Sequence, residues 1–141
     1  MRISFSGVDE LSTYIRSIQS YIQHPKQTFA KARVIMLQDV MDHFKNEMSP
    51  EGSWTKLADI TVLKRRNKKE SSIKILQDTG RLKNSITTQS GDAFAEVGTN
   101  VVYGATHQFG RNNIPKREFI WLSQEACERI RTQFILDMKA I

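Results

Sequence analysis

Residues 98–119 read Gly-Thr-Asn-Val-Val-Tyr-Gly-Ala-Thr-His-Gln-Phe-Gly-Arg-Asn-Asn-Ile-Pro-Lys-Arg-Glu-Phe. This stretch constrains the fold more than any other part of the sequence. Its residues 103–109 predict a brief helix that ends at Gly110, because glycine readily adopts the left-handed conformation that closes helices. Residues 114–121 fit a short strand, and Pro115 indicates the beginning of that strand or a sheet edge, since proline cannot donate a ladder hydrogen bond. The stretch specifies a local structure tightly, yet it contains no complete set of catalytic groups.

Two amphipathic helices are predicted upstream of this stretch. The first carries an apolar face at spacings of four, three and four, formed by Leu11, Ile15, Ile18 and Ile22. Short polar side chains near residues 6–9 can cap its start, and Pro25 disfavours helical geometry at His24. Proline suits the first turn of the helix that follows it. Ser49-Pro50 is expected to end this second helix. The predicted helices span residues 6–24 and 25–48.

A turn-rich loop with a basic segment follows over residues 49–80. Trp54 is either an exposed contact residue or an anchor that pins the loop to the core, and its large apolar area favours the anchor. Residues 59–63 permit a short helix that runs into the basic segment. Thr79-Gly80 is a turn or helix-stop signal.

The last part of the chain, residues 81–141, mixes strand and helix signals. Residues 83–90 and 93–98 predict an antiparallel hairpin that turns at Gly91-Asp92. Ser123 is a credible N-cap for a C-terminal helix. The sequence therefore predicts an α+β fold, in which a small antiparallel sheet (hairpin plus edge strand) is packed by two N-terminal helices and a C-terminal helix. A length of 141 residues fits one domain over the whole chain.

The formal net charge of +6 comes mainly from one segment. Five of the six residues at 64–69 are basic, namely Lys64, Arg65, Arg66, Lys68 and Lys69. The segment is either a solvated, mobile basic loop or an electrostatic contact with DNA or an acidic partner, and the residues alone do not separate these alternatives.

Several function classes are disfavoured by what the sequence lacks. No run of about 18 apolar residues marks a membrane span. We therefore expect no membrane partner, and we expect the chain to be made in the cytoplasm. No histidine pair has metal-ligand spacing, and Cys127 stands alone, so no metal is expected. The glycine spacing matches no nucleotide-binding loop, so no cofactor is expected either.

His107 and Arg117 are the polar residues of greatest interest. His107 is either a general base, with Glu96 or Glu118 as an orienting neighbour, or an imidazole that bonds backbone groups beside Tyr103, and the second reading is favoured. Arg117 is expected to share one face of the predicted strand with Phe119. It should bond carbonyls or carboxylates within its own subunit or across an interface.

Five blocks of this sequence, in their order and spacing, resemble the phage virion morphogenesis family. They are Trp54 after a Pro-Glu-Gly turn, Ile-Leu-Gln-Asp-Thr-Gly-Arg-Leu-Lys-Asn-Ser-Ile at 75–86, Val-Gly-Thr at 97–99, Tyr-Gly-Ala-Thr-His-Gln-Phe-Gly at 103–110, and Ile-Pro-Lys-Arg-Glu-Phe at 114–119. The resemblance covers roughly residues 30–141. Family members often carry alanine at the position of Gly104, and the basic segment is not part of the shared pattern.

The resemblance implies a non-enzymatic structural protein of phages or prophages that acts in tail completion and head–tail joining. It implies a place in the virion tail or neck, assembly in the bacterial host cytoplasm, and other tail or neck proteins as partners. Related neck proteins commonly form rings, often of six subunits, around the DNA channel, so a homo-oligomer with non-specific DNA contact is expected. The residues expected to form the structural or interface motif are Trp54, Gly80, Tyr103, His107, Phe109, Gly110, Pro115, Arg117 and Phe119.

Two alternatives from other classes stay open at this point. One is a small DNA-binding module that uses residues 64–69, which predicts a duplex affinity that falls steeply with salt. The other is a hydrolase or nuclease centred on His107, which predicts an activity that His107→Ala abolishes in a folded protein.

Overall fold

The computed structural model describes residues 8–23 and 25–140, with side chains described from residue 11 onward. Its elements in chain order are α1 (Val8–Gln23), α2 (Lys26–Asn46), β1 (Met48–Ser49), β2 (Gly52–Ser53), α3 (Asp59–Arg66), α4 (Arg81–Asn84), β3 (Thr87–Ser90), β4 (Ala95–Gly98), α5 (Gly104–Phe109) and α6 (Gln124–Lys139). The predicted cap at Ser6 and the predicted helix end at His24 lie outside the described residues.

The long helix α2 organises the core, because it packs against both the β3–β4 hairpin and α6. Val40 and Phe44 on α2 are fully buried. The Phe44 ring lies 5.6 Å from the Trp54 ring and 5.5 Å from the Phe119 ring, measured between centroids. Burying an aromatic or branched side chain of this kind contributes about 1.5–3 kcal/mol. The core thus joins α2 to the loop that follows it and to the segment around Phe119, which is distant from it in sequence.

The α+β class is confirmed, but the strands form two separate two-stranded antiparallel sheets. The sequence did not predict β1–β2, in which Met48 pairs with Ser53 directly after α2. The predicted hairpin exists as β3–β4, with Ser90 paired to Ala95. Its turn spans residues 91–94 and not Gly91-Asp92 alone, because the Phe94 ring folds over Gly91 and the Gly91 N–H donates to the Phe94 carbonyl at 3.0 Å.

The predicted strand at 114–121 is wrong. This segment is extended, but its only ladder contact among the described residues is an isolated bridge between Arg111 and Ile114. Its backbone groups bond α5 instead of a neighbouring strand. The Arg117 N–H donates to the His107 carbonyl at 2.8 Å, and the Gln108 side chain bonds the backbone of Phe119 and Ile120. A segment whose backbone N–H groups already have acceptors does not need to pair with a strand.

The predicted packing of α1 on the sheet is also wrong. No side chain from residues 11–23 is buried, and Leu11 and Ile22 on its apolar face are 58% and 65% exposed. Polar contacts connect α1 to the other helices. The hydroxyl groups of Tyr21 and Thr28 lie 2.6 Å apart, and Thr28 donates to Asp137 on α6 at 2.6 Å. No described residue buries the apolar face of α1.

The C-terminal helix α6 begins where the sequence predicts. The Ser123 hydroxyl oxygen accepts from the Ala126 N–H at 3.1 Å, which confirms the N-cap. Phe134 packs edge-on against Phe29 of α2, with ring centroids 5.2 Å apart. None of the described helices has the length and apolar character needed to cross a membrane.

Candidate functional site

The short helix α5, which the sequence predicts, presents three different sides to its surroundings. Residues four apart share a side of a helix. Tyr103, the N-cap, lies above His107 on one side, and Gly104 and Gln108 point inward. The third side carries Ala105 and Phe109.

The inward side fixes α5 to the core. A side-chain carbon added at Gly104 would lie 3.0 Å from the Thr99 Cγ2, so the helix approaches its neighbours closely here. The Gln108 Oε1 accepts from the N–H groups of Phe119 and Ile120 at 3.1 and 3.0 Å, and its Nε2 donates to the Ile120 carbonyl at 2.8 Å. Sequence analysis missed this role of Gln108, although its spacing of four from Gly104 signals the inward side.

The outward side of α5 is apolar and exposed. Val102, in the turn before the helix, is 93% exposed, and Phe109 is 75% exposed. We call Val102, Ala105 and Phe109 the α5 face. A cavity of about 370 Å³ opens beside it, lined in part by Ala105, Phe109, Phe119 and Ile120. Large apolar side chains held exposed beside a recess are typical of a docking surface.

The side of α5 that carries Tyr103 and His107 lines a second cavity of about 240 Å³. We call it the arginine cavity, and its charged and imidazole-bearing residues are Arg65, Asp78, Arg81, His107 and Arg117. The rings of Tyr103 and His107 meet edge-on, with centroids 6.0 Å apart. The Arg81 guanidinium lies over the Tyr103 ring at 5.8 Å. The cavity therefore gathers groups from α3, α4, α5 and the extended segment.

Arg117 is held inside the subunit and is only 7% exposed. Its Nε and Nη2 donate to the carbonyls of Thr55 and Lys56 at 2.8 and 3.2 Å. Burial, and then the positive charge of Arg65, lower the pKa of Arg117. These contacts lie within one subunit, which was one of the two alternatives for Arg117. They connect the loop after Trp54 to the extended segment.

The predicted bond between the His107 imidazole and backbone groups is not made through Nδ1. This atom is buried and has no hydrogen-bond partner among the described residues. Burial lowers the pKa of His107, and the charges of Arg117 and Arg65 lower it further. A neutral imidazole is therefore the favoured form near pH 7.

The carboxylates that sequence analysis considered as partners of His107 lie elsewhere. Glu96 accepts from Gln89 on the hairpin, and Glu118 pairs with Lys116 at 3.5 Å. The carboxylate that lines the arginine cavity is that of Asp78, whose Oδ1 is buried without a hydrogen bond. The geometry brings no oriented acid–base pair together at His107.

The basic segment is not a uniform solvated loop, which was one of its two alternatives. Lys64, Arg65 and Arg66 form the last turn of α3. Arg65 folds back, and its Nη1 donates to the carbonyls of Ser72 and Lys74 at 3.1 and 2.9 Å. The other four basic residues of the segment are exposed to solvent. Arg65 thus belongs to the arginine cavity and not to the exposed charge.

The remaining motif residues are positions of packing or backbone geometry. Trp54 is buried and its Nε1 donates to the Glu118 carbonyl at 2.9 Å, which is the anchoring role that the sequence favours. Phe119 is fully buried. Gly80 and Gly110 have positive φ of 80° and 75°, which side chains disfavour. Pro115 is half-buried in the extended segment.

A buried polar network at the start of α6 was missed by sequence analysis. The His43 ring stacks on Trp121 at a centroid distance of 3.8 Å, and its Nε2 lies 3.0 Å from the Trp121 carbonyl. Asp39, one helical turn earlier, accepts from the Ser123 N–H and hydroxyl at 2.8 and 2.6 Å. Because the serine hydroxyl bonds the carboxylate, this network fixes the start of α6.

Metal-binding side chains do not cluster in the part of the chain that is described: no group of three or more His, Cys, Asp or Glu residues there could hold an ion.

Comparisons with known proteins point to one family. The profile of the phage virion morphogenesis family matches residues 8–137. The chain is also similar to Mu-like prophage FluMu G protein 1 of Haemophilus influenzae (strain ATCC 51907 / DSM 11121 / KW20 / Rd), with 29% identity over 103 residues. That alignment covers 72% of this chain and 70% of the relative. No solved structure gives a significant match.

Proposed function

The chain belongs to the phage virion morphogenesis family, and from this membership we propose that it is a non-enzymatic tail completion protein that acts in head–tail joining. The family supports a structural or morphogenetic role and a place in the virion. The finer position in the tail or neck, with other tail and neck proteins as partners, is our proposal.

The exposed α5 face is the observation that carries this proposal. Val102 and Phe109 are 93% and 75% exposed, yet Gly104 and Gln108 hold the helix that presents them. Burying two such side chains against a partner would contribute about 1.5–3 kcal/mol each. A surface that is already ordered loses little entropy on binding. The α5 face is therefore suited to shape-matched protein contact.

Two apolar surfaces on different elements support assembly into a ring. A ring needs two unlike patches on each subunit, one for each neighbour. The α5 face supplies one patch, and the exposed side of α1, with Leu11, Ile15 and Ile22, supplies the other. We propose a head-to-tail homo-oligomer that closes into a ring, with six subunits by analogy with related neck proteins.

Substitution of the α5 face tests the proposal. Phe109→Ser combined with Val102→Ser should leave thermal stability unchanged, because both side chains are exposed. It should abolish ring-sized oligomers in native mass spectrometry and head–tail joining in a phage deleted for the gene. The matched control is Ile60→Ser on α3, which is 63% exposed and should behave as wild type. Normal joining by the double variant would contradict the proposal.

A small DNA-binding module is the second candidate, and the exposed cations favour it. Lys64, Arg66, Lys68 and Lys69 project around the end of α3. If each contacts one phosphate, the logarithm of duplex affinity should fall with the logarithm of salt with a slope of about −3 to −4. Changing all four to glutamine should abolish this binding. If head–tail joining survives that change, DNA contact is not how the protein joins tails.

A further inference from the structure

The arginine cavity holds more positive than negative charge. Three arginines and one aspartate line it, beside a histidine that is neutral near pH 7. Asp78 lies 3.8 Å from the Arg65 Nε. Neither Arg81 nor Arg117 forms an ion pair with any described residue. A buried guanidinium is normally neutralised by a nearby anion, and no described residue supplies one for Arg117. The cavity is therefore suited to a negative group from another molecule.

The cationic groups are already held in position. Arg117 uses Nε and Nη2 to bond two carbonyls, and its Nη1 makes no hydrogen bond within the described part of the chain. Arg65 bonds two further carbonyls, and Arg81 rests on the Tyr103 ring. Arginine donors that are fixed in this way recognise a planar, two-oxygen anion with little loss of entropy.

The His107 imidazole adds a further donor. Its Nδ1 is buried at the cavity, and no described residue bonds it. A neutral imidazole can carry its proton on Nδ1 and donate it to an acceptor. An anion in the cavity would satisfy this atom, which is otherwise costly to leave unbonded.

The size and walls of the cavity favour a protein side chain. Its volume of about 240 Å³ lies below the range of about 300–1,000 Å³ that is usual for small-molecule sites. Leu57, Leu76 and Leu82 also line it and suit the methylene groups of an acidic side chain. The Asp78 charge disfavours a doubly charged phosphate, and the phosphates of a duplex lie along a wide rod that cannot enter so small a recess.

We propose that the arginine cavity receives the carboxylate of a glutamate or aspartate side chain from a neighbouring protein subunit. This inference rests on the proposed assembly function, because it requires a neighbour docked beside α5. It gives the cavity a role that the apolar α5 face does not have: apolar contact stabilises the interface, and the charge selects the register in which the subunits meet.

The test uses N-acetyl-L-glutamate α-amide, here called acetylglutamate, because its single carboxylate is that of the side chain, and it uses the whole 141-residue chain. The imidazole signals of His107 are followed by NMR during titration with the probe, with inorganic phosphate and sodium chloride at matched ionic strength as separate arms. We expect a saturable shift with the acetylglutamate that chloride does not reproduce. Arg81→Gln should weaken the binding by about tenfold, the loss expected for one charge-assisted hydrogen bond.

Two choices keep this test decisive. Arg81 is exposed and its side chain bonds no carbonyl among the described residues, so its substitution should not unfold the chain, whereas Arg117→Gln would release the loop at residues 55–56. Arg129→Gln, at an exposed site on α6, is the matched control and should bind as wild type.

The outcomes separate this inference from the proposed function. Absence of a saturable shift, equal binding by Arg81→Gln, or tighter binding of phosphate than of acetylglutamate would overturn the carboxylate assignment, even if the protein assembles into rings. Conversely, specific acetylglutamate binding by a protein that neither oligomerises nor joins tails would support the carboxylate site and refute the proposed function.

Discussion

Replacing Gln108 with leucine tests whether α5 holds the extended segment in place. Leucine has a similar size but cannot form hydrogen bonds. The change removes three bonds to the backbone of Phe119 and Ile120, with donor–acceptor distances of 3.1, 3.0 and 2.8 Å. These bonds take the place of the ladder hydrogen bonds that a strand would make. Their loss should therefore destabilise the core that contains Phe119.

The magnitude follows from the number of groups left without a partner. Two backbone N–H groups and one carbonyl lose their bonds, and water can reach some of them because Gln108 is only half-buried. With about 1 kcal/mol for each bond and more for a buried group, the free energy of unfolding should fall by about 2–4 kcal/mol. For a chain of this length, that corresponds to a melting temperature lower by about 8–15 °C.

Thermal and urea unfolding followed by circular dichroism give the measurement. Gln108→Glu should lose less stability than the leucine variant, because its carboxylate can still accept from both N–H groups. Gln124→Leu is the control, since its exposed amide reaches only Glu128 at 3.3 Å. If Gln108→Leu melts at the temperature of this control, the segment is held by something other than the Gln108 side chain.

Three further changes test the polar contacts. Thr28→Val removes the donor to Asp137 and should lower stability to urea by about 1–3 kcal/mol; an unchanged midpoint would show that the α2–α6 bond contributes nothing. Because burial and the neighbouring arginines lower the pKa of His107, the unfolded chain binds more protons below about pH 6.5. Stability should therefore fall as the pH falls below the unfolded-state pKa of about 6.5, and the fall should level off below the lower folded-state pKa. His107→Gln should flatten this fall in urea midpoints between pH 7.5 and 5.5; an equal fall in both proteins would contradict it. Arg65→Gln should cost about 1–2 kcal/mol, whereas Arg66→Gln, at an exposed site, should change stability by less than about 0.5 kcal/mol; equal effects would contradict the folded-back position of Arg65.

Local signals were sufficient for several elements. The helix at α5, the glycine that ends it, the Ser123 cap and the β3–β4 hairpin each depend on residues within a few positions of one another. Helical spacing and capping chemistry act over that range, so a single sequence encodes them. The likeness to the phage virion morphogenesis family also came from short blocks of this kind.

Contacts between separate elements decided the rest. The extended segment does not become a strand because the side chain of Gln108 and the backbone of α5 satisfy its donors. Arg65, one of five similar basic residues in sequence, is distinguished only by the carbonyls it reaches after folding.

By itself, then, the sequence determined the α+β class, the position of α5 and the family, since these follow from periodicity, capping and short motifs. Packing between elements set the rest. Arg117 bonds carbonyls about 60 residues earlier in the chain, no described residue buries the apolar face of α1, and three arginines meet His107 in one cavity. Burial and charge pairing depend on which surfaces are brought together by packing. No local pattern of residues encodes which surfaces will be in contact.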